Sequence, residues 1–152
     1  MKKSALCLPF LLLFVTGAQA QDADVCPQLT TSTGLSWEYR GGNGSDFCRA
    51  LREDGSEAFG MYISKEPTFT PKRGNREEMD TIDGQEIQWY RAELAGQPGI
   101  EARETLIKLD DGRTAHVWLQ AASGEQLQNA FQMTRGLDFS PPRANATIAA
   151  GQ

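Results

Sequence analysis

The sequence predicts an α+β domain: a twisted antiparallel sheet of about six to seven strands with one C-terminal helix packed on a face. Three observations carry this. Short apolar–polar alternations recur between turns rich in Gly, Asn and Asp. The later alternations are joined by connections too short for a parallel crossover. A single well-capped helical pattern follows them. A small closed or half-closed barrel, with the helix plugging one end, fits the same pattern.

Leu35 to Tyr39 alternates, Gly41-Gly42-Asn43-Gly44 turns the chain, and Phe47 to Leu51 returns as the second arm of a hairpin. Asp54-Gly55 is the next turn signal. Ala58 to Ser64 follows and is apolar on both faces at its centre, as an inner strand would be. Pro67 ends it, because proline has no amide to donate to a ladder. Pro67 to Asp80 shows no sustained period and exceeds the usual connection of about 4–6 residues, so it is expected to form a protruding loop. Strand signals resume at Glu86–Leu94, Ala102–Leu109 and Thr114–Gln120, a three-stranded antiparallel meander.

The helix is announced by Ser123-Gly124-Glu125-Gln126, a capping box with Ser123 as N-cap. Leu127, Ala130, Phe131 and Thr134 then share one face, and Gly136 supplies the stop. Leu137 and Phe139 are expected to pack back. Residues 140–152, with Pro141-Pro142 and many small side chains, read as a disordered tail behind a single globular domain of residues 21–139.

The compartment is read from the start of the chain. Residues 1–20 have the form of a cleaved export signal: Lys2 and Lys3, an apolar run from Leu6 to Val15, and the small-x-small site Ala18-Gln19-Ala20. The run falls short of the roughly 20 residues that span a bilayer, so no stable membrane anchor is expected. Of the three cysteines, Cys7 would leave with the signal, and Cys26 and Cys48 would remain as an even pair in an oxidising compartment. A disulfide between them is predicted, closing a loop of about 20 residues worth about 3 kcal/mol by chain entropy.

Charge limits the partners. Lys2 and Lys3 leave with the signal, so the 15 basic residues fall to 13 against 20 acidic ones, a net charge of −7. That balance disfavours duplex nucleic acid and anionic membranes, both of which need basic residues.

No catalytic constellation emerges. His116 is the sole histidine, lies on the strand face opposite Ala115, Val117 and Leu119, and has no nucleophile motif nearby. No metal or cofactor is expected, since no second histidine or clustered cysteine stands at ligand spacing. The acidic pairs Glu53-Asp54, Glu77-Glu78 and Asp110-Asp111 read as solvated turn residues. The aromatic residues are more suggestive. Trp37 and Trp118 are expected in the core. Trp89 shares its strand face with Arg91, which argues against a dry interior there and points to an exposed binding pair.

This layout resembles the small exported immunity proteins and lysozyme inhibitors with which gram-negative bacteria neutralise toxins or lysozymes in the periplasm. The likeness rests on the export signal, the pair Cys26 and Cys48, the acidic single domain and the 67–80 loop. The short signature motifs of lysozyme inhibitors are absent, so no residue role is carried over. What the resemblance implies is a periplasmic protein, not an enzyme, that occludes a toxin or hydrolase. The residues expected at the contact are Lys72, Arg73, Arg76, Glu77 and Glu78 on the loop, with Trp89 and Arg91 beside it. The alternative is a small-ligand or envelope-assembly module with a pocket between sheet and helix.

Overall fold

The computed structural model describes residues 25–92 and 97–140. The expected signal, and all of the expected tail except Ser140, lie outside them, as do Glu93 and Leu94. Seven strands, β1 (Ser36–Gly42), β2 (Ser45–Leu51), β3 (Glu57–Ser64), β4 (Arg76–Ile82), β5 (Gln85–Arg91), β6 (Glu101–Lys108) and β7 (Thr114–Ala121), precede one helix, α1 (Gly124–Arg135). They form a single sheet in the order β1-β2-β3-β7-β6-β5-β4, antiparallel at every step. The sheet is therefore open, with β1 and β4 as its edges. The α+β fold is as predicted, and the barrel alternative is not adopted.

Turn chemistry sets the hairpins. Asn43 and Gly44 between β1 and β2 have φ of 54° and 77°, and Asp83 and Gly84 between β4 and β5 have 49° and 71°. Two successive positive φ values define the turn whose twist matches the flanking strands, and Asn-Gly and Asp-Gly reach it at low cost.

One face of the sheet carries the core. Phe59, Met61 and Ile63 of β3, Val117 and Leu119 of β7 and Trp89 of β5 are buried there with Leu127, Ala130 and Phe131 of α1. Each large apolar side chain so buried contributes roughly 1.5–3 kcal/mol. The helix starts where expected: the Ser123 hydroxyl accepts from the Gln126 amide at 3.3 Å. The Gln126 carboxamide reaches back one residue further than a standard box, accepting from the Ala122 amide at 2.9 Å. Its buried face is the one expected, Leu127, Ala130, Phe131 and Thr134. Asp80 of β4 ties down its far end through Arg135 at 2.7 Å.

Cys26 and Cys48 are joined in a disulfide, Cα to Cα 6.0 Å, across 22 positions of sequence. It fastens the segment before β1 to β2. The same segment exchanges two backbone hydrogen bonds between Gln28 and Asp138, at 2.8 and 3.2 Å, and so also holds the chain leaving α1.

Two expectations are corrected. The stretch 67–80 is not a loop throughout, because Arg76–Ile82 is the edge strand β4. Its alternation went unread because the residues turned toward the helix side near its start are Glu77 and Glu78, which lie over an arginine instead of the apolar core. Trp118 does not join the core. It lies half-buried on the opposite face, while Trp37 sits at the core margin, edge-on to Phe59 at 5.7 Å.

Candidate functional site

The face opposite α1 is crossed by the chain itself. Residues 65–75 leave β3 at the middle of the sheet and pass over β7, β6 and β5 to reach the β4 edge. Three of its side chains hold this crossing segment down. Thr68 is hydrogen-bonded to His116 of β7. The Phe69 ring lies 4.8 Å from the His116 ring and 6.1 Å from Tyr90 of β5. The Asn75 side chain donates to the Arg91 carbonyl at 3.3 Å.

His116 is the pivot. Its outward placement follows from strand alternation, as the sequence indicated. On its other side Nε2 lies 3.0 Å from the Glu104 carboxylate of β6. Burial holds His116 below its ordinary value, and the opposing pull of Glu104 is the smaller influence. Burial thus favours the neutral imidazole. Since an ionised carboxylate can only accept, Nε2–H donates to Glu104 and Nδ1 accepts from the Thr68 hydroxyl. This chain of three polar groups clasps the crossing segment onto the sheet.

An aromatic row runs outward from the clasp. Trp118 lies 5.5 Å from His116 and 5.6 Å from Phe47 of β2. Trp118 can lie flat on the sheet because its cross-strand partner is Gly60, where a Cβ would come within 2.4 Å of the indole. The indole N–H donates to Glu57 at 3.0 Å. Glu57 in turn accepts from Arg49, which also binds Glu38. Beneath the crossing segment a cleft of about 350 Å³ opens between Phe69 and Tyr90, with Lys72, Arg91 and Glu104 on its walls.

The charges divide in a telling way. Arg49, Arg91, Arg103, Arg113 and Arg135 all lie in ion pairs. Among the described residues, the exposed cations Lys65, Lys72, Arg73, Arg76 and Lys108 have no such partner, and all but Lys108 lie on the crossing segment or where it enters β4. Most of the exposed positive charge without an ion partner is thus gathered on one ridge of an acidic protein.

The other expected contact residues fare differently. Glu77 and Glu78 are engaged inside the molecule. Arg103, whose side chain is only 9% exposed, binds Glu78 through two hydrogen bonds of 2.9 and 3.0 Å and approaches Glu101 and Glu77. Burial alone would raise the Glu78 carboxyl, but its hydrogen bonds from Arg103 carry it below the usual carboxylate range. Arg91 is exposed and pairs with Glu77 at 3.4 Å. Trp89 is fully buried against Phe131, with ring centres 5.3 Å apart, and is not a surface residue. Its face is dry despite Arg91 because Arg91 stands at the strand's end and extends past the rim.

The same Trp89–Phe131 contact fills space between sheet and helix where a ligand pocket was the alternative expectation. A larger cleft of about 730 Å³ lies elsewhere, between the segment at Val25–Gln28 and Leu109 and Phe139, with Asp46, Asp110 and Asp111 at its rim.

Thr68, Phe69 and Glu104 belong to the site and were not singled out from the sequence, and Tyr90, noted there as a strand aromatic, was not among the expected contact residues. A signal existed for two of them: Tyr90, Glu104 and Trp118 are successive cross-strand partners on one face of β5, β6 and β7. Nothing local marks Thr68 or Phe69. No family model, curated protein or solved structure matches the chain.

Proposed function

We propose that this is a periplasmic protein that binds another protein, an antibacterial effector toxin or an envelope hydrolase, and blocks it by occlusion. The observation that carries this reading is the ridge of unpaired cations, Lys65, Lys72, Arg73 and Arg76, on a segment clasped to the sheet by Thr68 and His116. Side chains held on a fixed backbone lose less freedom on binding than those on a free loop. Positive charge concentrated on an acidic body orients an acidic partner as it approaches. Phe69 and Tyr90, flanking the cleft beside the ridge, supply the apolar anchor that Trp89 does not. Export is supported by the pattern of residues 1–20 and by the Cys26–Cys48 disulfide, a bond that persists in oxidising compartments.

The test starts from a partner identified by copurification from periplasmic extract. Association with it is measured at low and high salt. Replacing Lys72, Arg73 and Arg76 together by glutamate should leave thermal stability nearly unchanged, since exposed charges contribute little to it. The same variant should slow association at low salt by about ten-fold or more. An unchanged rate and affinity would remove the ridge from the contact.

A further inference from the structure

We propose that Thr68, His116 and Glu104 form a hydroxyl–imidazole–carboxylate triad, and that the outer face hydrolyses small esters bearing a carboxylate. This activity goes beyond the binding role and does not depend on it.

A hydroxyl becomes a nucleophile when a base stands within hydrogen-bond reach and a third group fixes that base. Both are present here. The Thr68 hydroxyl is hydrogen-bonded to His116 Nδ1, and His116 Nε2 lies 3.0 Å from the Glu104 carboxylate. An ionised Glu104 can only accept, so it holds the ring as the Nε2–H tautomer and leaves the Nδ1 lone pair to the hydroxyl. The two ring nitrogens thus exchange the roles they have in the familiar serine triad, where the carboxylate holds Nδ1 and the hydroxyl meets Nε2. Base and carboxylate are shielded, with side chains 16% and 22% exposed, while Thr68 is open to solvent. A substrate therefore reaches the hydroxyl without displacing the imidazole. Burial of His116 favours its uncharged, proton-accepting form. No local motif announces the arrangement, because Thr68 stands 48 positions from His116.

The neighbouring cleft sets the substrate class. Its volume of about 350 Å³ suits a small molecule. Phe69, next in sequence to Thr68, and Tyr90 give it apolar walls, and Glu104 is shared between cleft and triad. Lys72 on its wall has no ion partner, and Arg91, although paired with Glu77, is still 55% exposed. Two cations beside apolar rings fit a short ester that carries a carboxylate. They also favour the negative charge that develops on the carbonyl oxygen.

The reaction balances with water as its one co-reactant. Thr68 Oγ1 bonds to the ester carbonyl carbon while its proton passes to Nδ1 and the carbonyl π pair moves to oxygen. Collapse breaks the bond to the alkoxy group, which leaves with that proton as the alcohol. Water then attacks the acyl-threonine and gives its proton to Nδ1, and the acid departs as Thr68 Oγ1 takes the proton back. Glu104 acts through His116 and is a positioning residue.

Hydrolysis of 4-acetoxybenzoate by the purified protein, followed beside phenyl acetate at neutral pH, tests this. Turnover is expected to fall about 100-fold in Thr68→Ala and in His116→Ala, the usual worth of a positioned base. A fluorophosphonate, which forms an O–P bond and expels fluoride, should label Thr68 in peptide mapping. Thr68→Ser keeps the hydroxyl and removes a hindering methyl, so it should be at least as active as the wild type. Glu104→Gln should lower kcat without raising KM, since it takes a negative charge off the cleft wall. Lys72→Glu should raise KM for 4-acetoxybenzoate more than for phenyl acetate. If His116→Ala fails to fold, Thr68→Ala and the label still decide. A protein without turnover above buffer overturns the proposal, as does turnover that Thr68→Ala leaves intact, a label found elsewhere, or an inactive Thr68→Ser. An equal effect of Lys72→Glu on both esters overturns the assigned substrate class.

Discussion

The two faces of the sheet are closed by different physics. On one face α1 seals an apolar layer in which Phe59, Met61, Val117, Leu119, Trp89 and Phe131 are almost completely buried. On the other, an irregular segment is fastened by one hydroxyl, one imidazole and one phenyl ring, over side chains that stay half-exposed. Burial of large apolar side chains contributes kilocalories each, whereas a net hydrogen bond contributes about 0.5–1.5 kcal/mol. The domain's stability therefore resides on the helix side, and the outer face can change its contacts without unfolding the rest. The four unpaired cations of the crossing segment lie on the more lightly fastened side.

The sharpest test of the comparison is made on the helix side. Phe131→Ala should lower unfolding free energy by about 3–5 kcal/mol, because the ring is 2% exposed and Trp89 would be left facing a void. Denaturant titration reads this directly. A loss below about 1 kcal/mol would mean that the helix contributes little and that the two faces do not differ as argued.

Next in size is the disulfide. Removing it by Cys26→Ala with Cys48→Ala should cost about 3 kcal/mol, chiefly by freeing the unfolded chain. The comparison adds a detail about place. Cys48 is fully buried and its β2 neighbour Phe47 begins the outer aromatic row, but the disulfide itself lies on the helix side. Its loss should loosen the Gln28–Asp138 bridge while the Thr68–His116 clasp survives. Amide exchange that speeds equally at both places would contradict that separation.

What could be read from the sequence follows the same division. Helix and sheet periodicity mark residues that face a dry layer, so the buried face of α1, the inner strand β3 and the β5–β6–β7 meander were all legible. β4 was not, because an edge strand over an arginine needs no apolar alternation: Glu77 and Glu78 answer Arg91 and Arg103, and Asp80 answers Arg135. Trp89 was misplaced for a related reason. Side-chain periodicity tells which residues share a face, but not where along the strand the dry layer ends, and Arg91 lies beyond that limit. The clasp was illegible because Thr68 and His116 are 48 residues apart and neither segment shows what the other supplies. The ridge cations were visible as residues, yet only their lack of ion partners in the fold distinguishes them from Arg103 or Arg113.

The smallest expected effect probes the clasp itself. Burial holds His116 below its ordinary value of about 6.5. The unfolded chain therefore binds a proton more readily than the folded one, so this residue's contribution to stability is complete above about pH 6.5. It is lost as the pH falls through the lower, folded-state value. His116→Gln should flatten that part of the pH–stability curve. Thr68→Val removes the hydroxyl that Nδ1 accepts from and should cost only about 0.5 kcal/mol globally, since the bond is partly exposed. Locally the effect should be plainer. In the variant, amides of residues 66–70 should exchange faster at neutral pH, while in the wild type they should do so only as His116 charges. If those amides are as protected as the β3 strand in both proteins, the crossing segment is held by something other than the clasp, and the outer face is as firmly closed as the inner.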